Sequence, residues 1–168
     1  MSGGAIIVTA AFGDGDNGWL QELRRAHYPA ERNRVPAHLT LFRQLPPSLE
    51  GELATRLGRL AASRPPAAWI VDVMDLGGGT ALRVESEELE RIRGELAEAF
   101  HGLLTPQDSA PWRPHVTIQN KVAPREAKSL QQQLRTSLRP RPLGIRALAA
   151  WRYRDGPWEA IRTWPFRL

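Results

Sequence analysis

The chain has 168 residues, room for one domain or for two small lobes around a shared core. Its 42% hydrophobic and 24% charged residues are globular values, and they argue against wholesale disorder. No cysteine is present, which excludes a disulfide framework, a Cys-ligated zinc and a Cys nucleophile; the net charge of +5 is compatible with a polyanionic ligand.

The first apolar run, Ala5–Phe12, is short and continuous, as in a strand buried on both faces. It has no positive flank and reads as a strand, not a signal peptide. No later run approaches the ~20 apolar residues that cross a bilayer, so a cytoplasmic protein without membrane attachment is expected. Gly13–Gly18 (GDGDNG) reads as a turn, with Asn17 as N-cap of a helix over Trp19–Tyr28. Residues 35–42, VPAHLTLF, form a second strand candidate. Leu49, Leu53, Leu57 and Leu60 recur at helical spacing, and Ser63–Pro66 ends that helix.

Strands follow at about 67–74 and 80–85, with Trp69 assigned to the core and Gly77–Gly79 as the hairpin turn between them. Ser86 caps a third helix, whose inward face carries Leu89, Ile92, Leu96, Phe100 and Leu103. Residues 114–119, PHVTIQ, are the next strand, and Pro124 opens a fourth helix with Ala127, Leu130, Leu134 and Leu138 inward. Arg139–Pro142 is extended. Strands at about 144–153 and 158–165 close the chain around Asp155-Gly156. The class is α+β. The second half of the order echoes the first, and no long linker separates them, so residues 1–168 read as a single bilobal domain.

The echo contains the informative pair. Residues 36–41 read Pro-Ala-His-Leu-Thr-Leu and residues 114–118 read Pro-His-Val-Thr-Ile, with the two histidines 77 positions apart. Side chains at i and i+2 of a strand share a face. His38, Thr40 and Phe42 therefore share one face, and His115, Thr117 and Gln119 another. A two-fold relation between the halves would set these faces opposite each other. Two imidazoles and two hydroxyls around one cavity suit phosphodiester chemistry. A neutral imidazole takes a proton from the attacking oxygen, and an imidazolium gives one to the leaving oxygen. The threonines hydrogen-bond the non-bridging oxygens, with arginine neutralising charge. No metal or other cofactor is needed.

The paired HLTL and HVTI motifs resemble the signature of the 2H phosphoesterase superfamily, and its bacterial 2′-5′ RNA ligase-like, cyclic nucleotide phosphodiesterase branch in particular. That resemblance implies a bilobal, pseudo-two-fold duplicated fold. Antiparallel sheets line a central cleft, with helices packed outside. It implies catalytic roles for His38 and His115, and phosphate binding by Thr40 and Thr117. It implies RNA or nucleotide substrates with a 2′,3′-cyclic phosphate or a 2′-5′ linkage, with ligation as the reverse reaction. The branch often carries an arginine close to the second threonine. Here Gln119, Asn120 and Lys121 follow Ile118, which leaves Lys121 or Arg113 to supply the charge.

Phe42, Arg43, Trp112, Arg113, Gln119 and Lys121 are the candidate substrate contacts. Among Trp151, Trp158 and Trp164 of the closing hairpin, one at the cleft edge would offer a nucleobase platform. His27 and His101 read as helix C-terminal residues favoured by the dipole, not as metal ligands. A monomer is expected. The competing reading is a non-catalytic module that binds RNA ends or nucleotides.

Overall fold

The computed structural model describes residues 4–33 and 35–167. Two four-stranded antiparallel sheets form its frame. One comprises β1 (Ala5–Phe12), β2 (Leu39–Leu45), β7 (Ile145–Tyr153) and β8 (Glu159–Pro165), in the order β2-β1-β7-β8. The other comprises β3 (Trp69–Asp75), β4 (Thr80–Glu85), β5 (His115–Gln119) and β6 (Arg141–Pro142), in the order β5-β4-β3-β6. The duplication is visible in these orders. Each motif strand, β2 or β5, lies at a sheet edge and pairs with one neighbour, β1 or β4.

The helices repeat the same plan. Helix α1 (Asp14–His27) joins β1 to β2, and α3 (Glu87–Ala99) leads from β4 towards β5. Helix α2 (Glu50–Leu60) follows β2, and α5 (Pro124–Ser137) follows β5. The lobes are not the two halves of the sequence. The closing hairpin β7–β8 returns to β1, because an apolar strand buried on both faces needs a partner on each edge. One hydrophobic core runs through both sheets, from Ile6 and Leu39 to Leu82 and Val116. Among the described residues, no helix is long and apolar enough to cross a membrane.

Four local expectations change. Residues 14–18 are the first turns of α1 rather than a loop, and Gly13, not Asn17, is the N-cap. Asp14 and Asp16 sit at the positive end of that helix, and the Asp16 carboxylate accepts the Gly144 N–H at 2.8 Å. A tertiary contact thus overrides the turn propensity of the sequence. Strand β2 starts at Leu39 and continues to Leu45, beyond the expected end at 42. Trp69 is 47% exposed rather than core, because it sits near the sheet edge, opposite Pro142 of the two-residue strand β6. Helix α3 stops at Ala99, leaving Leu103 exposed and His101 in the following turn.

Ser86 caps α3 as its position suggests, its Oγ accepting from Leu89 N at 3.1 Å. A short helix α4 (Pro106–Ser109) then precedes β5. Its signal lies in the sequence, since Thr105 is the N-cap, Pro106 is at the first position, and Thr105 Oγ1 accepts from Asp108 N.

Candidate active site

The two motif strands, β2 and β5, lie beside each other where the sheets meet. An edge strand leaves backbone groups unpaired, and here side chains from the opposite lobe satisfy them. Trp112 Nε1 donates to Thr40 O at 3.0 Å, and Arg93 Nε to Leu41 O at 3.1 Å. The Asp108 carboxylate accepts from Arg43 N and Gln44 N, both at 2.9 Å. From the other side, Arg24 Nη1 donates to Thr117 O at 2.8 Å.

His38 and His115 are held by the same device. His38 Nδ1 lies 2.7 Å from Pro36 O, and His115 Nδ1 lies 2.6 Å from Arg113 O. A carbonyl only accepts, so each Nδ1 carries a hydrogen and each neutral ring keeps its lone pair at Nε2. Each histidine bonds the carbonyl two residues before it, so the backbone ahead of each motif orients its ring.

The strand after each motif breaks the alternation in the same way. Thr9 pairs with Thr40 but Val8 with Phe42, so β2 has one extra residue. Ala81 pairs with Thr117 but Thr80 with Gln119, so β5 has one too. A bulge inserts a residue and redirects the side chains after it. Leu41 and Phe42 are therefore both buried, as are Ile118 and Gln119.

This corrects the expectation that Phe42 and Gln119 share the histidine faces. Phe42 is fully buried, with the Arg93 guanidinium carbon 4.2 Å from its ring centre. Gln119 accepts the Thr80 hydroxyl at 2.8 Å in the interior. Neither lines the cleft beside His38. Trp112 packs against the core and tethers Thr40 through its indole N–H. Arg113 and Trp112 line a separate groove with Trp69, and His38 is not among its lining residues. Lys121 is exposed, in the left-handed region at φ 60, in the turn after β5.

A cleft of about 750 Å³ opens beside the first motif. His38, Thr40 and Arg43 line it, together with Gln44, Gln107, Tyr153 and Trp158. His115 and Thr117, both half-buried, are not among its lining residues and lie across the β2–β5 seam. Trp158 is the closing-hairpin tryptophan at the cleft. Its ring centre is 4.8 Å from that of His38, tilted by 57°, and 6.1 Å from that of Trp151. Trp164 is core, and the Trp151 indole donates to Thr9 Oγ1 at 3.0 Å.

Burial pushes the His38 imidazolium pKa down to about 4, against the support of the Pro36 carbonyl. The positive charges of Arg24, His115 and Arg43 push it the same way. Among the described residues, no three His, Asp or Glu side chains cluster to hold a metal ion.

Sequence reasoning passed over Arg24, Arg93 and Asp108. The signal for the arginines is present, because Arg24 lies four residues after buried Leu20, and Arg93 lies within the buried Leu89, Ile92, Leu96 face. An arginine at an apolar helix position is a buried cation with work to do.

The fold has close counterparts among solved structures. TT0787 of Thermus thermophilus superposes with a TM-score of 0.62 at 17% identity, over 97% of this chain and 98% of that one. E. coli LigT complexed with 3′-AMP gives 0.61 at 16% identity, over 98% and 99%. A protein described as a phosphoesterase gives 0.60 at 15%, over 99% and 100%. No curated protein matches the chain in sequence. The profile of the 2′-5′ RNA ligase superfamily matches residues 12–157, which takes in both motif strands and their cross-lobe tethers, and the chain belongs to that superfamily.

Proposed function

We propose that this protein, acting as one bilobal unit, is a metal-independent phosphoesterase. It opens 2′,3′-cyclic phosphates or 2′-5′ phosphodiesters of RNA or nucleotides, with ligation as the reverse direction. The observation that carries the reading is the pair of His-x-Thr motifs on adjoining edge strands, each imidazole fixed through Nδ1 to the carbonyl two residues earlier. The structure of LigT with 3′-AMP supports a nucleotide as the ligand class.

His38 is assigned as the base in hydrolysis, since it is held neutral with its Nε2 lone pair available. It takes a proton from water as the water oxygen bonds to phosphorus. In a cyclic phosphate the P–O bond to the 2′ or 3′ oxygen breaks, and the His115 imidazolium gives that oxygen its proton. In a 2′-5′ linkage the neighbouring 3′ hydroxyl replaces water as the attacking group and the 5′ oxygen leaves with the proton, the step whose reverse is ligation. Thr40 and Thr117 hydrogen-bond the non-bridging oxygens, and Arg43 adds positive charge at the cleft. Each proton transfer contributes typically ~10²–10⁴-fold.

Nucleoside 2′,3′-cyclic monophosphates and a 2′-5′-linked dinucleotide, incubated with the protein in excess EDTA, test this. The expected result is turnover indifferent to the chelator, with a single nucleotide monophosphate isomer resolved by chromatography from the cyclic substrates. Saturable binding of every compound with no product would establish the binding-module reading instead.

A further inference from the structure

Arg24 and Arg93 stand in reciprocal positions. Arg24 belongs to α1, which leads into β2, yet it bonds β5 of the other lobe. Arg93 belongs to α3, on the β5 side, yet it bonds β2. Each guanidinium reaches a carbonyl next to a bulge, Thr117 O at 2.8 Å or Leu41 O at 3.1 Å. Both are deeply buried, Arg24 at 3% exposure and Arg93 at 8%. Both also lie over an aromatic ring, Arg24 over Tyr28 at 4.3 Å and Arg93 over Phe42 at 4.2 Å.

Arg24 carries a second connection. Its Nη2 donates to Val35 O at 2.9 Å and its Nε to Asn33 Oδ1 at 3.2 Å. Those residues belong to the segment that delivers His38. A planar guanidinium with donors on three nitrogens can hold two backbone segments at a fixed separation, which an ammonium cannot. The partners named here are neutral oxygens, so the guanidinium keeps its positive charge, one of those facing His38. Arg24 lies in the last turn of α1, where a cation favours the helix, but burying that cation is costly. The arrangement therefore needs a return elsewhere.

We propose that Arg24 is a positioning residue for the reaction. By bonding the His38 lead-in and the Thr117 carbonyl together, it sets the distance between the two motifs, while Arg93 ties Leu41 O of β2 to Asp108 O of α4. The inference rests on the phosphoesterase reading. A misplacement of about 1 Å costs a reaction roughly 10²-fold, so a group that fixes this separation acts on kcat.

Arg24→Lys keeps the charge and loses the two-segment bridge, while Arg24→Gln loses both. On a nucleoside 2′,3′-cyclic monophosphate, both variants are expected to lower kcat by about 10- to 100-fold with KM changed less. Arg24→Gln alone raises the acidic limb of the pH profile. Of the charges facing His38 (Arg24, Arg43 and His115), it removes one that disfavours the imidazolium. Wild-type kcat in Arg24→Lys would overturn the positioning role and leave only a charge effect. Wild-type kcat in both would make Arg24 a packing residue.

Inorganic phosphate provides a readout independent of turnover. In the wild type, the ring signals of His38 and His115 are expected to follow one binding curve by NMR. In Arg24→Lys they are expected to diverge or weaken at least tenfold. An unchanged common curve overturns the proposal even where no substrate is turned over. A wild type that binds phosphate at neither histidine sinks the phosphoesterase reading, and the positioning role with it. Should Arg24→Lys unfold at the assay temperature, Asn33→Ala, which removes one arm of the Arg24 bridge, carries the same readouts with smaller expected changes, and unchanged readouts there would overturn the proposal.

Discussion

His38 is under two opposing influences. The Pro36 carbonyl favours its charged form, while burial and the cations Arg24, His115 and Arg43 disfavour it, and the second group prevails. The folded ring therefore protonates near 4, whereas the unfolded chain does so near ~6.5. The neutral ring is the one the fold prefers. Its contribution to stability is fully present above ~6.5 and is lost as the pH falls towards 4, on the order of 3 kcal/mol in all. Urea denaturation at pH 7 and pH 4.5 should show a steeper loss for the wild type than for His38→Gln. Equal losses would mean that His38 is not held neutral by the fold. A phosphate bound beside His38 would oppose these positive charges and raise the same pKa.

At the scale of elements, one device serves both lobes: a His-x-Thr strand, then one extra residue. Its consequences include a tight contact at the β3–β4 turn. A Cβ on Gly79 would lie 2.2 Å from Gln119 O and 2.8 Å from Asn120 Cα. Gly79→Ala must therefore displace the backbone at the bulge of β5, with an expected cost of about 2–3 kcal/mol, read as a fall in the urea midpoint. Gly77, in the left-handed region at φ 83 with open space around it, should respond to alanine by backbone strain alone, a smaller loss. A Gly79→Ala variant as stable as the wild type would contradict this account of the turn.

The bulges also explain what the sequence could and could not show. His38 lies just ahead of β2 yet lines the cleft with Thr40, and His115 and Thr117 are both half-buried in β5, the extra residue coming only after each threonine. Strict alternation failed two positions later, at Phe42 and Gln119, where a one-residue insertion turns the side chain to the opposite face. Helical spacing found α2, α3 and α5, but not the role of an arginine at an apolar position. That role depends on which strand from the other lobe lies opposite. Helix α1 was read too short because the contact of Asp16 with Gly144 spans distant parts of the chain.

On the scale of the whole molecule, the chain solves two problems with one seam. Each sheet ends in a motif strand with an unpaired edge, and each edge is closed by Trp112, Arg93, Asp108 or Arg24 from across the seam. The same closure sets the two motif strands, and with them the two histidines, on either side of one seam. Under the proposed function, the aromatic and arginine-lined cleft beside His38 would take the nucleoside and the seam the phosphate. The central claim is that the two imidazoles act as one unit. Its most direct test compares His38→Ala, His115→Ala and the double variant by kcat/KM on a nucleoside 2′,3′-cyclic monophosphate. If the two act in a single step, each single loss should nearly equal the loss in the double variant, since one proton transfer is of little use without the other. Losses that simply add, or a single variant with wild-type rates, would contradict the two-histidine mechanism.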